Sequence, residues 1–269
     1  MAKIKKWLSF IVIVFTHFFA DGCSYRAAAL TYTSLLSLAP LMAVSFVILS
    51  AFPFFQSLTL KTQHFVLQYV ATDSRDTIEQ FLQSVIRQSR HLSFIGFSSL
   101  VIIAVLMIFN IEQAFNTIWH VKKHRHLISA FFLYLAVLIF APVLLGLGLL
   151  LSAYVRSLPL ITSFISYFGL TKIILLITPF CLSVIAFTFL YVAIPNCRVP
   201  WRYGFAAAIV AAILYETAKF SFTFYIQHFS SYTLLYGALA VWPIFLLWLY
   251  ITWVIILLGA VINYVLTKS

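Results

Sequence analysis

Several apolar stretches in this chain are long enough to cross a bilayer, some without a single charge, and they leave few folds open. A helix needs about 20 apolar residues to span the hydrocarbon core. Residues 27–52, 94–119, 127–151, 171–194, 204–228 and 237–266 all meet that length. In hydrocarbon every backbone N–H and C=O must be satisfied inside the protein, so such stretches are expected as helices. Charged residues make up 9% of the chain, against about 25% in soluble domains. An ordinary globular domain is therefore excluded. The expectation is an all-α integral membrane protein with a six-transmembrane-helix bundle over 27–266. A segment over 1–26 with an N-terminal interfacial helix precedes it, an outer loop at 53–92 carries one amphipathic helix, and a short tail at 267–269 follows.

Six spans place both ends of the chain on one side, and Lys/Arg asymmetry between loops assigns the side. The segments sharing a side with the N-terminus hold Lys3, Lys5, Lys6, Arg26, Lys122, Lys123, Arg125, Arg198, Arg202 and Lys268. The opposite segments hold Lys61, Arg75, Arg87, Arg90, Arg156 and Lys172, diluted by Asp73, Asp76 and Glu79. This asymmetry predicts both ends in the cytoplasm. The net charge of +11 then reads as a topology signal and an attraction to anionic headgroups. No compact basic domain exists to bind nucleic acid. Membrane lipids are the expected partners, with Arg26 and Arg202 as candidate headgroup contacts.

Residues 1–20 resemble the charged and apolar regions of a signal peptide, but Ala20-Asp21-Gly22 before Cys23 makes a poor cleavage site. The run 7–20 is short for a span. Lys5, Ser9 and Thr16 form a polar stripe at helical spacing, so an interfacial helix is expected, with a seventh span as the alternative. In the outer loop Ile78, Phe81, Leu82, Val85 and Ile86 recur at helical spacing behind an Asp76/Glu79 capping pair. That helix packs on the surface or lids the bundle. Cys23, Cys181 and Cys197 have no metal-like spacing. Neither disulfide, metal ligand nor cofactor is expected.

Lipid gives helices no hydrophobic reason to associate, so small residues mark the close contacts. Gly204, Ala208 and Ala212 supply such a face, as do Gly148 and Ser152; either could serve packing within the chain or a homodimer, which leaves the oligomeric state open. Pro40, Pro142, Pro179 and Pro243 interrupt spans and free carbonyls that protein or water must satisfy. Trp7, Trp119, Trp201, Tyr203, Tyr232 and Tyr236 lie near span ends as interface anchors do, whereas Trp242, Trp248, Tyr250 and Trp253 are too many for a belt.

Ionisable groups inside spans are costly and mark pathways or pairs. Glu216 and Lys219, three apart, can neutralise each other on one helix face. Glu112 has no basic neighbour in its span and shares a strip with Gln113, Asn116 and His120 that runs toward Arg125. Glu112, Asn116, Glu216 and Lys219 are thus candidates for a proton or substrate pathway, or for helix pairing. Asn263 is expected to cross-link helices.

Several blocks carry a family resemblance. Residues 27–40 read AAALTYTSLLSLAP and 111–119 read IEQAFNTIW. Ile194-Pro195-Asn196 precedes Trp201-Arg202, then Glu216 and Lys219; 232–240 read YTLLYGALA and 247–253 read LWLYITW, before 257–260, LLGA. Together they resemble the YihY/BrkB family of bacterial inner-membrane proteins, of UPF0761 type, over nearly the whole chain. The resemblance implies six spans, cytoplasmic ends and an envelope or lipid-transport role suggested for some relatives. It carries over Glu112, Asn116, Glu216, Lys219 and Tyr236 as motif members without roles. A ribonuclease BN label carried by some members is regarded as misapplied.

Three function classes follow. Transport or flipping of a lipid or envelope-related small molecule suits buried ions, proline-broken spans and few soluble residues. No nucleotide-binding motif is present, so ATP hydrolysis is not expected. A non-catalytic scaffold or assembly factor is the alternative. An enzyme ranks third: His124 and His126 flank Arg125 with no carboxylate beside them, a poor metal site for a nuclease.

Overall fold

The computed structural model describes residues 2–51, 94–122, 125, 129, 133, 170–228 and 241–268. Six helices run through them: α1 (Ala2–Ala20), α2 (Cys23–Ala51), α3 (Phe94–Ile118), α4 (Leu170–Ala193), α5 (Trp201–His228) and α6 (Val241–Lys268). No strand occurs among the described residues. Helices α3 to α6 lie within a few residues of four of the expected spans, and α2 begins four residues before the first, at Cys23. All of the third span at 127–151 but residues 129 and 133, and the amphipathic helix near 76–88, lie outside the described residues.

Three of these helices are long and apolar enough to cross a membrane: α3, α5 and α6. A fourth candidate is the pair Leu8–Ala20 and Cys23–Leu38, bent by 57°. The bend has a local cause. Gly22 takes a left-handed conformation, φ 65°, and its N–H reaches the Phe19 carbonyl at 3.1 Å. Glycine adopts that region without Cβ strain and commonly ends helices there.

The chain divides into two compact units, one of 1–35, 107–133 and 180–269, the other of 36–106 and 134–179. α2, α3 and α4 contribute to both. The candidate site residues described below belong to the first unit. Its core is α5 on α6, with α1 also laid against α6. Gly204, Ala207, Ala208, Ala211 and Ala212 are all buried, so the small-residue face packs within the chain. Phe205, Val210 and Ile213 on the other side of α5 are exposed, as lipid-facing side chains are. Hydroxyls in the spans return to the helix itself: Thr31 donates to Ala27 O at 2.7 Å, Thr188 to Val184 O at 2.7 Å and Thr217 to Ile213 O at 2.8 Å.

Candidate functional site

Most of the described cross-links between elements of the first unit lie toward one end. Pro195 ends α4, because a residue before proline is kept out of the helical region and proline brings no N–H. The carbonyls of Ile194 and Pro195 are left over, and Arg125 takes both, its Nη2 donating at 3.1 and 3.2 Å. Its Nε donates to Glu112 Oε1 at 3.3 Å. Asn116 lies one turn after Glu112 on α3; its amide donates to the same oxygen at 3.4 Å and its carbonyl accepts from the Asn196 N–H at 2.8 Å. Glu112 is only 3% exposed. Of the expected strip, Glu112 and Asn116 come together with Arg125 as their cation, whereas Gln113 turns outward and His120 approaches Asp21 instead.

The second pair sits within α5. Lys219 Nζ lies 2.7 Å from Glu216 Oε2, Ser183 of α4 donates to Glu216 Oε1 at 3.4 Å, and the ammonium stands 5.5 Å from the Tyr215 ring centre. Trp248 of α6 packs on Tyr215 and Phe222, giving that surplus tryptophan a place. Unlike Glu112 these side chains are open, 27% for Glu216 and 41% for Lys219. The two sets of sequence candidates thus form separate centres.

Buried polar side chains fasten the helices. Asn263 donates to Tyr191 O at 3.2 Å, Tyr191 Oη to Ile256 O at 3.1 Å and Trp253 Nε1 to Ser34 Oγ at 2.9 Å. Asn263 is the cross-link its position suggested. Of the candidate headgroup residues, Arg202 is exposed at the start of α5, while Arg26 donates from Nε to the Asp21 carbonyl at 3.3 Å. Tyr236 lies outside the described residues.

A third cluster escaped the sequence reading, which named no metal ligands. His17, Asp21 and His120 bring one ligand atom each within 4.8 Å of one another. His17 and Asp21 are four apart at the end of α1, a spacing that puts them on one face and was the available signal. His120 comes from the end of α3. There its N–H bonds to Thr117 O at 2.9 Å and the Val121 N–H to Asn116 O at 2.8 Å, the paired bonds of a Schellman cap. That cap needs a left-handed residue, and His120 supplies it at φ 51°. At the end of α1 glycine fills this role; histidine in it costs on the order of 1–3 kcal/mol. Tyr264 stands edge-on to both imidazoles, 5.5 Å from His17 and 5.4 Å from His120.

Cys197, between α4 and α5, has its thiol pushed up by burial, opposed by Lys268 and Arg125. Since the thiolate is the nucleophile, maleimide should label Cys197 slowly at neutral pH and faster as pH rises. Rapid labelling at pH 7 would contradict this burial.

Residues 14–269 match the family model described as Virulence factor BrkB. A UPF0761 membrane protein of Legionella pneumophila is 44% identical over 255 residues, 95% of this chain and 61% of the relative. One from Azotobacter vinelandii is 41% identical over 253 residues, 94% of this chain and 62% of its own length. One from Coxiella burnetii is 38% identical over 256 residues, covering 95% of this chain and 92% of the relative. The chain thus spans about three-fifths of the length of the first two relatives. None of these names describes an enzymatic activity, and no solved structure matches the chain. With apolar helices suited to a bilayer and a match over nearly its full length, this membrane protein belongs to the BrkB family.

Proposed function

We propose that the protein moves a lipid or envelope-related small molecule across the cell inner membrane without ATP hydrolysis, using Glu216 and Lys219 as the polar contact. The supporting observation is their partial exposure well inside a long apolar helix. A pair kept only for packing would be sealed like Glu112. A carboxylate and an ammonium side by side suit a headgroup that carries both an amine and a phosphate. Tyr215 and Trp248 beside them offer apolar surface to the attached chain. Glu112 and Asn116 are assigned instead to holding the α4–α5 turn. Six spans complete the bundle, with the basic ends of the first unit cytoplasmic and α1 as an interfacial helix, a reading supported by the 57° bend and the exposed Leu8, Ile11, Phe15 and Phe19.

The test is lipid transfer in liposomes by the reconstituted protein, followed with a fluorescent headgroup-bearing phospholipid. Glu216→Gln and Lys219→Met should each slow transfer by about tenfold or more, equivalent to about 1.4 kcal/mol of barrier. A half-exposed pair adds about 1 kcal/mol or less to stability, so both variants should reach normal membrane levels. Unchanged transfer in both would refute the assignment. The alternative, a non-catalytic scaffold or envelope assembly factor, is favoured by the number of polar side chains already spent on fastening helices; under it wild-type liposomes show no transfer above protein-free ones.

A further inference from the structure

We propose that His17, Asp21 and His120 form a binding site for a divalent transition metal, with zinc as the ion the donors suit best. Two imidazoles and one carboxylate are a frequent ligand set for such ions, whereas magnesium and calcium prefer oxygen alone. The geometry is nearly formed. Ligands around a tetrahedral zinc stand about 3.3–3.5 Å apart, given bonds of about 2.0–2.1 Å. Here the three atoms already lie within 4.8 Å of one another, and His120 Nε2 is 3.8 Å from Asp21 Oδ1. Small side-chain rotations close that gap.

A second, independent observation points to a ligand. The Asp21 side chain is only 9% exposed, and its buried Oδ2 finds no hydrogen-bond partner among the described residues. Buried carboxylate oxygens are rarely left so. Arg26, the nearby cation, spends its Nε on the Asp21 backbone carbonyl instead. The 3.8 Å approach of His120 is too long for a hydrogen bond. A metal ion would satisfy the carboxylate that protein groups leave unmet. Tyr264 holds both rings edge-on, the sort of packing that keeps imidazoles oriented. The half-exposed His120 leaves a path for the ion and a fourth position for water. Bound there, the ion would tie the end of α1 to the end of α3.

Cobalt(II) is the probe, since its visible spectrum reports coordination. The full chain, purified without a histidine tag and stripped with chelator, should take up one equivalent of cobalt with intense tetrahedral bands. Zinc should displace it and magnesium should not. His120→Asn keeps a residue that tolerates the left-handed conformation and removes the ligand. It should weaken binding by more than the roughly 100-fold that loss of an outer-shell partner costs. Asp21→Asn should act in the same direction, and His120→Cys should add a sulfur-to-cobalt charge-transfer band. Zinc should also raise the melting temperature of the wild type but not of His120→Asn, because an ion that binds only the folded state stabilises it. No uptake by the wild type, or equal uptake by His120→Asn, would overturn the site.

Discussion

Arg125→Met should destabilise the protein by about 3–5 kcal/mol, the cost of leaving one partner of a buried ion pair uncompensated. Glu112 would lose its cation in a site where it is almost sealed. The carbonyls of Ile194 and Pro195 would lose their shared donor, each at about 1–3 kcal/mol if left unsatisfied. Glu112→Gln should cost less than Arg125→Met, because it keeps an acceptor for Arg125 and leaves those carbonyls capped. The double variant Glu112→Leu/Arg125→Met should be more stable than the sum of the single losses predicts, since no lone charge remains buried. Thermal unfolding in detergent measures these three and the single Glu112→Leu that completes the comparison. Strict additivity would show that the two side chains do not act as a pair.

Gly259→Ala should be almost as damaging for a different reason. A Cβ at that position would stand 2.7 Å from Tyr191 Cζ and 2.9 Å from Ala211 Cβ, and would run into the Tyr191 hydroxyl. Tyr191 has no room to withdraw. It is completely buried, stacked with Phe187 and packed near Phe115, ring centres 6.2 Å away in each case. Overpacking of this kind costs about 1–3 kcal/mol and sometimes more, and the rigid surroundings put this case at the upper end. Tyr191→Phe removes the oxygen that meets the new methyl, at the loss of the bond to Ile256 O. In the Gly259→Ala background it should therefore recover part of the stability it costs in the wild type. A Tyr191→Phe penalty equal in both backgrounds would mean that the clash is relieved elsewhere.

The sequence candidates divide by how far apart their partners lie. Glu216 and Lys219 were legible because three residues along a helix always share a face, and the pair forms as expected. Glu112 and Arg125 were half legible, since the cation lies just beyond the helix that carries the acid. Its other partners were not: the two carbonyls lie 69 and 70 residues from Arg125, and Asn196 lies 80 from Asn116. Trp253 looked surplus because Ser34, its acceptor, is 219 residues away. The metal-ligand cluster was missed for a similar reason. His17 and Asp21 announce one face, but nothing local says that the cap of α3 delivers His120 to it.

The positions of the long apolar helices α3, α5 and α6, the helical class and the segregation of basic residues could be read from residues 1–269 alone, because crossing hydrocarbon sets a length and excludes charge whatever the neighbours are. Which side of a helix meets protein could be read only where small residues line up, as at Gly204, Ala208 and Ala212. In water, apolar surface marks the buried face; in lipid, an apolar side chain is equally at home against a neighbour or an acyl chain. Only the packed structure separates Ala211, sealed against Gly259, from Ile213 on the open side of the same helix. The same packing decides that Glu112 is locked by Arg125 while Glu216 stays partly exposed.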